Sequence, residues 1–247
     1  MSDSEAFIGS CKTQIGFEPT IDRVLEPASE TSTRSGGTPL HRIVLGSHDG
    51  KKIVPRWDIV THSDRKLLYF IHERTFPDTA TLHRAESAFH AAAAAWNDVD
   101  FGLVFEEVRE ASAAHFHLLY KEMGKDARHL ATGFFPNEPS DLTIYKAGLS
   151  TSRSDGAIKK TFMHELGHII GLRHEHAVAR GESESVRFLG TNEFSIMSYR
   201  DERDLQKSDK EEVKAFYKMQ NGALIGGIPI QDYPLVLRGS KSQKADA

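Results

Sequence analysis

The sequence contains a single cysteine, Cys11, among 247 residues. One thiol excludes an internal disulfide framework and a thiolate-rich zinc finger. Long apolar runs are missing as well. The longest, Ala91 to Trp96, falls far short of the ~20 residues a membrane-spanning helix needs. Nor is there an excess of one charge, since 31 basic and 35 acidic side chains leave a formal net charge of -4. That balance supplies no basic field for nucleic acid or for an anionic membrane surface, so neither is an expected partner. The opening Met1-Ser2-Asp3-Ser4-Glu5 has neither the basic nor the apolar region of a signal peptide. With no disulfides either, a cytoplasmic or non-classically exported chain is expected over a secreted one. What the chain does have is 39% hydrophobic and 27% charged residues, enough to bury a core. It also has thirteen histidines, a number that points to metal.

Composition divides the chain into three parts. Residues 1–40 read as an extension, propeptide-like at most, because Glu26 to Pro39 is a run of small and polar residues typical of a linker. Residues 41–221 carry the periodic segments expected of a single domain. Residues 222–247, rich in Gly and Pro and then polar, are expected to form a loosely held tail. Within the domain, Arg42–Leu45 and Lys52–Pro55 flank Asp49-Gly50 as a hairpin. Thr81 to Asn97 presents Ala85, Ala88, Phe89, Ala92 and Trp96 on one helical face. Short strands are expected at Lys66–Ile71, Leu103–Val108, His115–Tyr120, Thr132–Phe135 and Leu142–Tyr145. A helix then opens at Asp155-Gly156 and stops near Gly171, and a loop runs to about Arg203. A last helix spans Lys207 to Met219, with Ser208 and Glu211 placed as a capping box.

The segment with chemistry is His164-Glu165-Leu166-Gly167-His168-Ile169-Ile170-Gly171-Leu172-Arg173-His174. On a helix His164 and His168 project from one face a turn apart, close enough to share one ion. Glu165 lies between them in angle, suited to a water on that ion rather than to the ion itself. Gly171 lets the backbone leave the helix at positive φ, so that His174 can swing back as the third nitrogen ligand. Three neutral imidazoles leave a position open for water, as a catalytic zinc site requires. These residues at this spacing arise by chance in roughly two of ten thousand chains of this composition.

The extended motif, followed by Ser195-Ile196-Met197-Ser198-Tyr199 with its methionine 23 residues after His174, resembles the signature of the metzincin clan of zinc metallopeptidases. The Ser-x-Met-x-Tyr form is similar to its astacin and serralysin branches. The resemblance implies an α+β fold with a twisted, mostly parallel small sheet, an active-site helix, a backing helix and a C-terminal helix. It implies His164, His168 and His174 as ligands of one catalytic Zn2+, with Met197 as an apolar floor beneath them. It also implies Glu165 as general base and Tyr199 as a group that approaches the metal and stabilises the reacting carbonyl oxygen. Departures from the astacin pattern are plain. Val178 stands where that motif has arginine, and astacin disulfides are impossible with one cysteine. Glu175 matches the glutamate that in astacins meets the processed N-terminus, but otherwise reads as a surface or supporting acid.

The expected function is zinc-dependent endopeptidase action on a protein or peptide substrate by a monomer. A noncatalytic module of the same fold that binds a protein partner stands as the alternative. Leu130–Phe135 is the expected edge along which a peptide is laid, and the segment from Glu182 to Glu193 is expected to shape a side-chain pocket. His115 and His117 share a strand face but read as hydrogen-bonded rather than metal-binding. His176 reads as a bystander, and Cys11 as part of the extension rather than a latency device.

Overall fold

The computed structural model describes residues 41–44, 46–48, 50–62, 64–122, 129–175, 177 and 185–238. The proposed extension at 1–40, with Cys11, lies outside them, as do His176, Val178 and residues 182–184. In chain order the elements begin with β1 (His41–Val44), β2 (Gly46–His48), β3 (Lys51–Trp57), β4 (Lys66–Ile71) and α1 (Thr79–Asn97). Next come β5 (Val104–Glu107), β6 (Phe116–Lys121), β7 (Ala131–Thr132), β8 (Leu142–Tyr145) and α2 (Asp155–Ile169). The last are β9 (Ser185–Phe188), α3 (Lys207–Lys218), β10 (Leu224–Ile225) and β11 (Ile228–Tyr233). No helix among the described residues is long and apolar enough to cross a membrane.

The main sheet has the order β5-β4-β6-β8-β7, parallel throughout except for β7, which leaves β7 at an edge. This is the α+β arrangement expected from the sequence. The helix expected over Thr81–Asn97 is α1, capped by Asp78, whose side chain accepts from Thr81 N–H. Its buried face contains all five residues named from the periodicity. Aromatic rings then connect sheet to helices. Phe116 and Tyr69 lie 6.0 Å apart, Tyr69 and Phe89 4.8 Å, and Phe89 and Phe162 5.1 Å. The first pair is tilted and the other two are edge-on; aromatic pairs add about 0.5–1.5 kcal/mol each beyond the area they bury, and these carry the core from β6 through α1 to α2.

Two tryptophans fix α2 in place. Trp96 Nε1–H donates to Met163 C=O at 2.9 Å, and Trp57 Nε1–H donates to Ile169 C=O at 2.7 Å. Ser154 caps the start of α2 by accepting from Ala157 N–H. The helix ends as expected at Gly171, with φ +94°. Gly171 N–H donates to His168 C=O and Leu172 N–H to Gly167 C=O, both at 2.9 Å. That pair of bonds is the glycine-dependent Schellman stop.

Three expectations are corrected. The hairpin forms between β2 and β3, with Gly50 at φ +73°, while β1 pairs instead with β9. A tight turn fixes its own register, so the partner of β3 must begin next to it; β9, placed by the sequence in a loop, has only distant pairing to define it. The cap of α3 is Gln206, whose N–H donates to Asp209 Oδ2 at 2.8 Å, rather than the pair Ser208 and Glu211. The expected loose tail is partly built into the fold. β11 joins β3 in parallel, matching Ile230 to Val54 and Tyr233 to Trp57. A buried ion pair, Arg56 Nε to Asp232 Oδ1 at 2.8 Å, locks it there, and Arg56 Nη1 also donates to Phe216 C=O and Met219 C=O.

Candidate metal centre

The α2 helix presents His164 and His168 one turn apart, and the turn at Gly171 returns His174 to them. All three are buried, and one ring nitrogen from each lies within 4.8 Å of the others. The positions of their protons follow from their partners. His164 Nδ1 faces Ile196 C=O at 2.9 Å, and His168 Nδ1 faces Leu172 C=O at 2.9 Å. A carbonyl only accepts, so each Nδ1 carries the hydrogen and each Nε2 keeps a lone pair. His174 Nδ1 lies 2.8 Å from Tyr199 Oη, which can accept in the same way. Burial first, and second the repulsion that a proton on the neighbouring His174 would add, hold the His164 and His168 rings well below the usual histidine range, so both stay neutral.

Those lone pairs converge. His168 Nε2 and His174 Nε2 are 3.1 Å apart, and His164 Nε2 is buried with no hydrogen-bond partner among the described residues. Tetrahedral zinc with N ligands at 2.0–2.1 Å places those nitrogens about 3.3 Å apart. Two bare imidazole nitrogens facing each other repel unless a cation lies between them, so the donor set fits a divalent zinc-like ion.

Around the triad, each neighbour is fixed. Glu165 is 1% exposed, and its Oε2 accepts from Gly133 N–H at 2.6 Å. Gly133 follows β7, and a Cβ there would lie 2.9 Å from Glu165 C=O and 3.1 Å from Oε2. This is why strand pairing, expected through Phe135, stops at Thr132: the next N–H serves the glutamate. Met197 is buried against α2, and a Cβ on Gly167 would come within 3.2 Å of its Cε and still closer to its Sδ. The Met197 segment is braced by Met197 N–H to Ser195 Oγ at 3.0 Å and Glu175 N–H to Met197 C=O at 3.0 Å. Tyr199 Oη also lies 3.2 Å from His174 Nε2, near the point of convergence. Phe135 sets its ring edge-on to His168 at 5.4 Å and lies beneath the Arg173 guanidinium.

Glu175 is buried rather than on the surface, and its Oε1 takes Asn192 N–H at 2.7 Å. Close by, burial first and then the Asp209, Glu175 and Glu211 charges push the Glu212 carboxyl up to about 10. A carboxyl with a higher pKa folded than unfolded binds more protons folded. Its stabilisation is complete below the unfolded value near 4.5 and is lost as pH rises through about 10. Glu212→Gln keeps the neutral shape. It is expected to raise the melting temperature at pH 8 by a few degrees, on the order of 1 kcal/mol, and to give no gain at pH 4. A gain equal at both pH values in thermal scans would contradict this.

His115 and His117 are engaged elsewhere. His115 Nδ1 accepts from Leu68 N–H at 2.8 Å, and His117 Nε2 meets Ala111 C=O at 3.1 Å, in keeping with their hydrogen-bonded reading. Sequence reasoning missed Gly133 and Asp209. The signal for Gly133 was a glycine directly after an edge strand. Asp209 carried no local signal.

No family model matches this sequence, and no curated protein matches it. Among solved structures it is similar to two of myroilysin. One has a TM-score of 0.45 and 13% identity, covering 63% of this chain and 93% of that one. The other has a TM-score of 0.44 and 14% identity, covering 71% and 95%. It is also similar to high choriolytic enzyme 1, a hatching enzyme zinc-protease from Oryzias latipes, the medaka fish. There the TM-score is 0.32 with 14% identity, covering 49% of this chain and 51% of that one.

Proposed function

We propose that this chain is a zinc-dependent endopeptidase of metzincin type, astacin-like, with His164, His168 and His174 as metal ligands. The observation that carries the reading is the shared proton arrangement of the three rings, each Nδ1 satisfied by an acceptor and each Nε2 turned to one point. When bound, zinc supplies Lewis acidity that brings the pKa of a water ligand from about 15.7 toward about 7.

The chain's own residues supply the rest. A peptide lies along β7, the outermost strand of the sheet among the described residues, taking main-chain hydrogen bonds from it. Gly133 N–H holds the Glu165 carboxylate through Oε2, and that carboxylate takes a proton from the attacking water. The water oxygen bonds to the carbonyl carbon, the C–N bond breaks, and Glu165 delivers its proton to the leaving nitrogen. Tyr199 accepts from His174 with its oxygen, so its O–H remains able to donate to the reacting carbonyl oxygen.

The steric fit of Gly133 yields a prediction. Gly133→Ala forces the glutamate aside and is expected to lower kcat about tenfold with zinc content unchanged. Unaltered kcat with full metal would show that Gly133 does not hold the base in place. The test of the function itself is hydrolysis of casein or gelatin by the purified chain. Activity abolished by chelation and restored by zinc is expected. A zinc-loaded chain that cleaves neither substrate, nor a diverse peptide library, is instead the noncatalytic binding module.

A further inference from the structure

The carbonyl that orients His164 belongs to a residue held on both sides by one carboxylate. Ile196 N–H donates to Asp209 Oδ2 at 3.1 Å, which fixes the peptide plane between residues 195 and 196. Asp209 Oδ1 accepts the Ser195 hydroxyl at 2.6 Å, and Ser195 Oγ accepts Met197 N–H at 3.0 Å. Met197 N–H lies in the same peptide plane as Ile196 C=O, because the peptide unit is flat. Asp209 therefore pins one plane directly and the other through the serine. Between them these planes set the backbone angles of Ile196 and the direction of the carbonyl that receives His164 Nδ1–H at 2.9 Å. Ser195 and Ile196 are fully buried, and His164 and Asp209 are each 3% exposed, so water does not compete for these bonds.

We propose that Asp209 is a positioning residue for the metal centre: through Ser195 and Ile196 it aims the carbonyl that sets the tautomer and direction of His164. The proposal rests on the zinc reading of the three histidines. The competing role is a purely structural one, since Asp209 also accepts Gln206 N–H at the start of α3. The two roles separate through shape and charge. Asparagine at 209 can accept the two backbone N–H groups with its oxygen and donate to Ser195 Oγ with its nitrogen. It keeps the bracing, losing the charge and the acceptor of the Ser195 hydroxyl proton.

The test measures zinc affinity of the full chain by competition with a chromophoric chelator, the visible spectrum of the cobalt-substituted protein, and thermal stability. Asp209→Ala is expected to weaken zinc binding about 10- to 100-fold and to alter the cobalt spectrum. Asp209→Asn should match the native affinity within about twofold. Val213→Ala removes buried carbons from α3, and Val213 has no part in the hydrogen bonds that join Asp209, Ser195, Ile196 and His164; it should lower the melting temperature and leave zinc affinity and the cobalt spectrum as they are. Asp209→Ala binding zinc as tightly as Val213→Ala overturns the proposal, and so does Asp209→Asn falling as far as Asp209→Ala. If Asp209→Ala is recovered unfolded, Asp209→Ser replaces it, keeping a capping oxygen too short to bridge both partners, with the same expected loss. Variants that are all unfolded in excess zinc also overturn it, because they would assign Asp209 to the fold. A native chain that binds no zinc at all defeats the underlying metal reading instead, which keeps the two failures distinct.

Discussion

Glu165→Gln is expected to retain about one equivalent of zinc and to lose at least about 100-fold in peptide hydrolysis, the low end for removal of a general base. The structure explains why these two outcomes should part. Glu165 Oε2 accepts from Gly133 N–H, and a glutamine amide has the same size and shape, so it can occupy the same space and leave the ligands in place. An amide oxygen still accepts from Gly133, which keeps the side chain in its pocket. What glutamine cannot do is take up the water's proton and return it to the leaving nitrogen. Loss of zinc alongside loss of activity would mean that the carboxylate helps to hold the ion. Turnover within a few-fold of native would remove Glu165 from the chemistry.

The second large effect concerns the ion itself. His168 is fully buried, its Nε2 lies 3.1 Å from that of His174, and its Nδ1 is tied to the Leu172 carbonyl at the helix stop. His168→Ala leaves two imidazoles, and the chain is expected to lose stoichiometric zinc and all chelator-sensitive activity. Thermal scans give an independent readout. A ligand present at 1,000 times its Kd stabilises the folded state by about 4.1 kcal/mol, on the order of 10 °C for a domain of this size. The native chain should show an increment of that kind when zinc replaces a chelator. The variant should show none, whatever its melting temperature without metal. An equal increment in both would place the ion elsewhere.

How far the sequence revealed this site depends on how local each constraint is. His164, His168, Gly171 and His174 were legible because ligand geometry and the helix stop impose fixed spacings over eleven consecutive residues. The buried face of α1 was legible for a similar reason, since Ala85, Ala88, Phe89, Ala92 and Trp96 follow the helical period. Contacts that close over long distances left no such trace. β11 reaches β3 across 176 residues, as counted at the Arg56 and Asp232 pair, and its Gly- and Pro-rich surroundings looked like a tail. β9 is only four residues long and gains its identity from β1. Asp209 reads locally as an ordinary first-turn acid of a helix, and its bonds to Ser195 and Ile196 exist only once α3 has packed. Gly133 was visible as a residue but not as a donor to Glu165, because that contact joins the sheet edge to α2.

X-ray absorption at the zinc edge of the purified chain tests the central claim most directly. Three imidazole nitrogens and one further light atom at about 2.0–2.1 Å are predicted, and any zinc that His168→Ala still carries should show fewer imidazoles. A chain without zinc, or one whose zinc shell keeps its full imidazole count in that variant, would contradict the account.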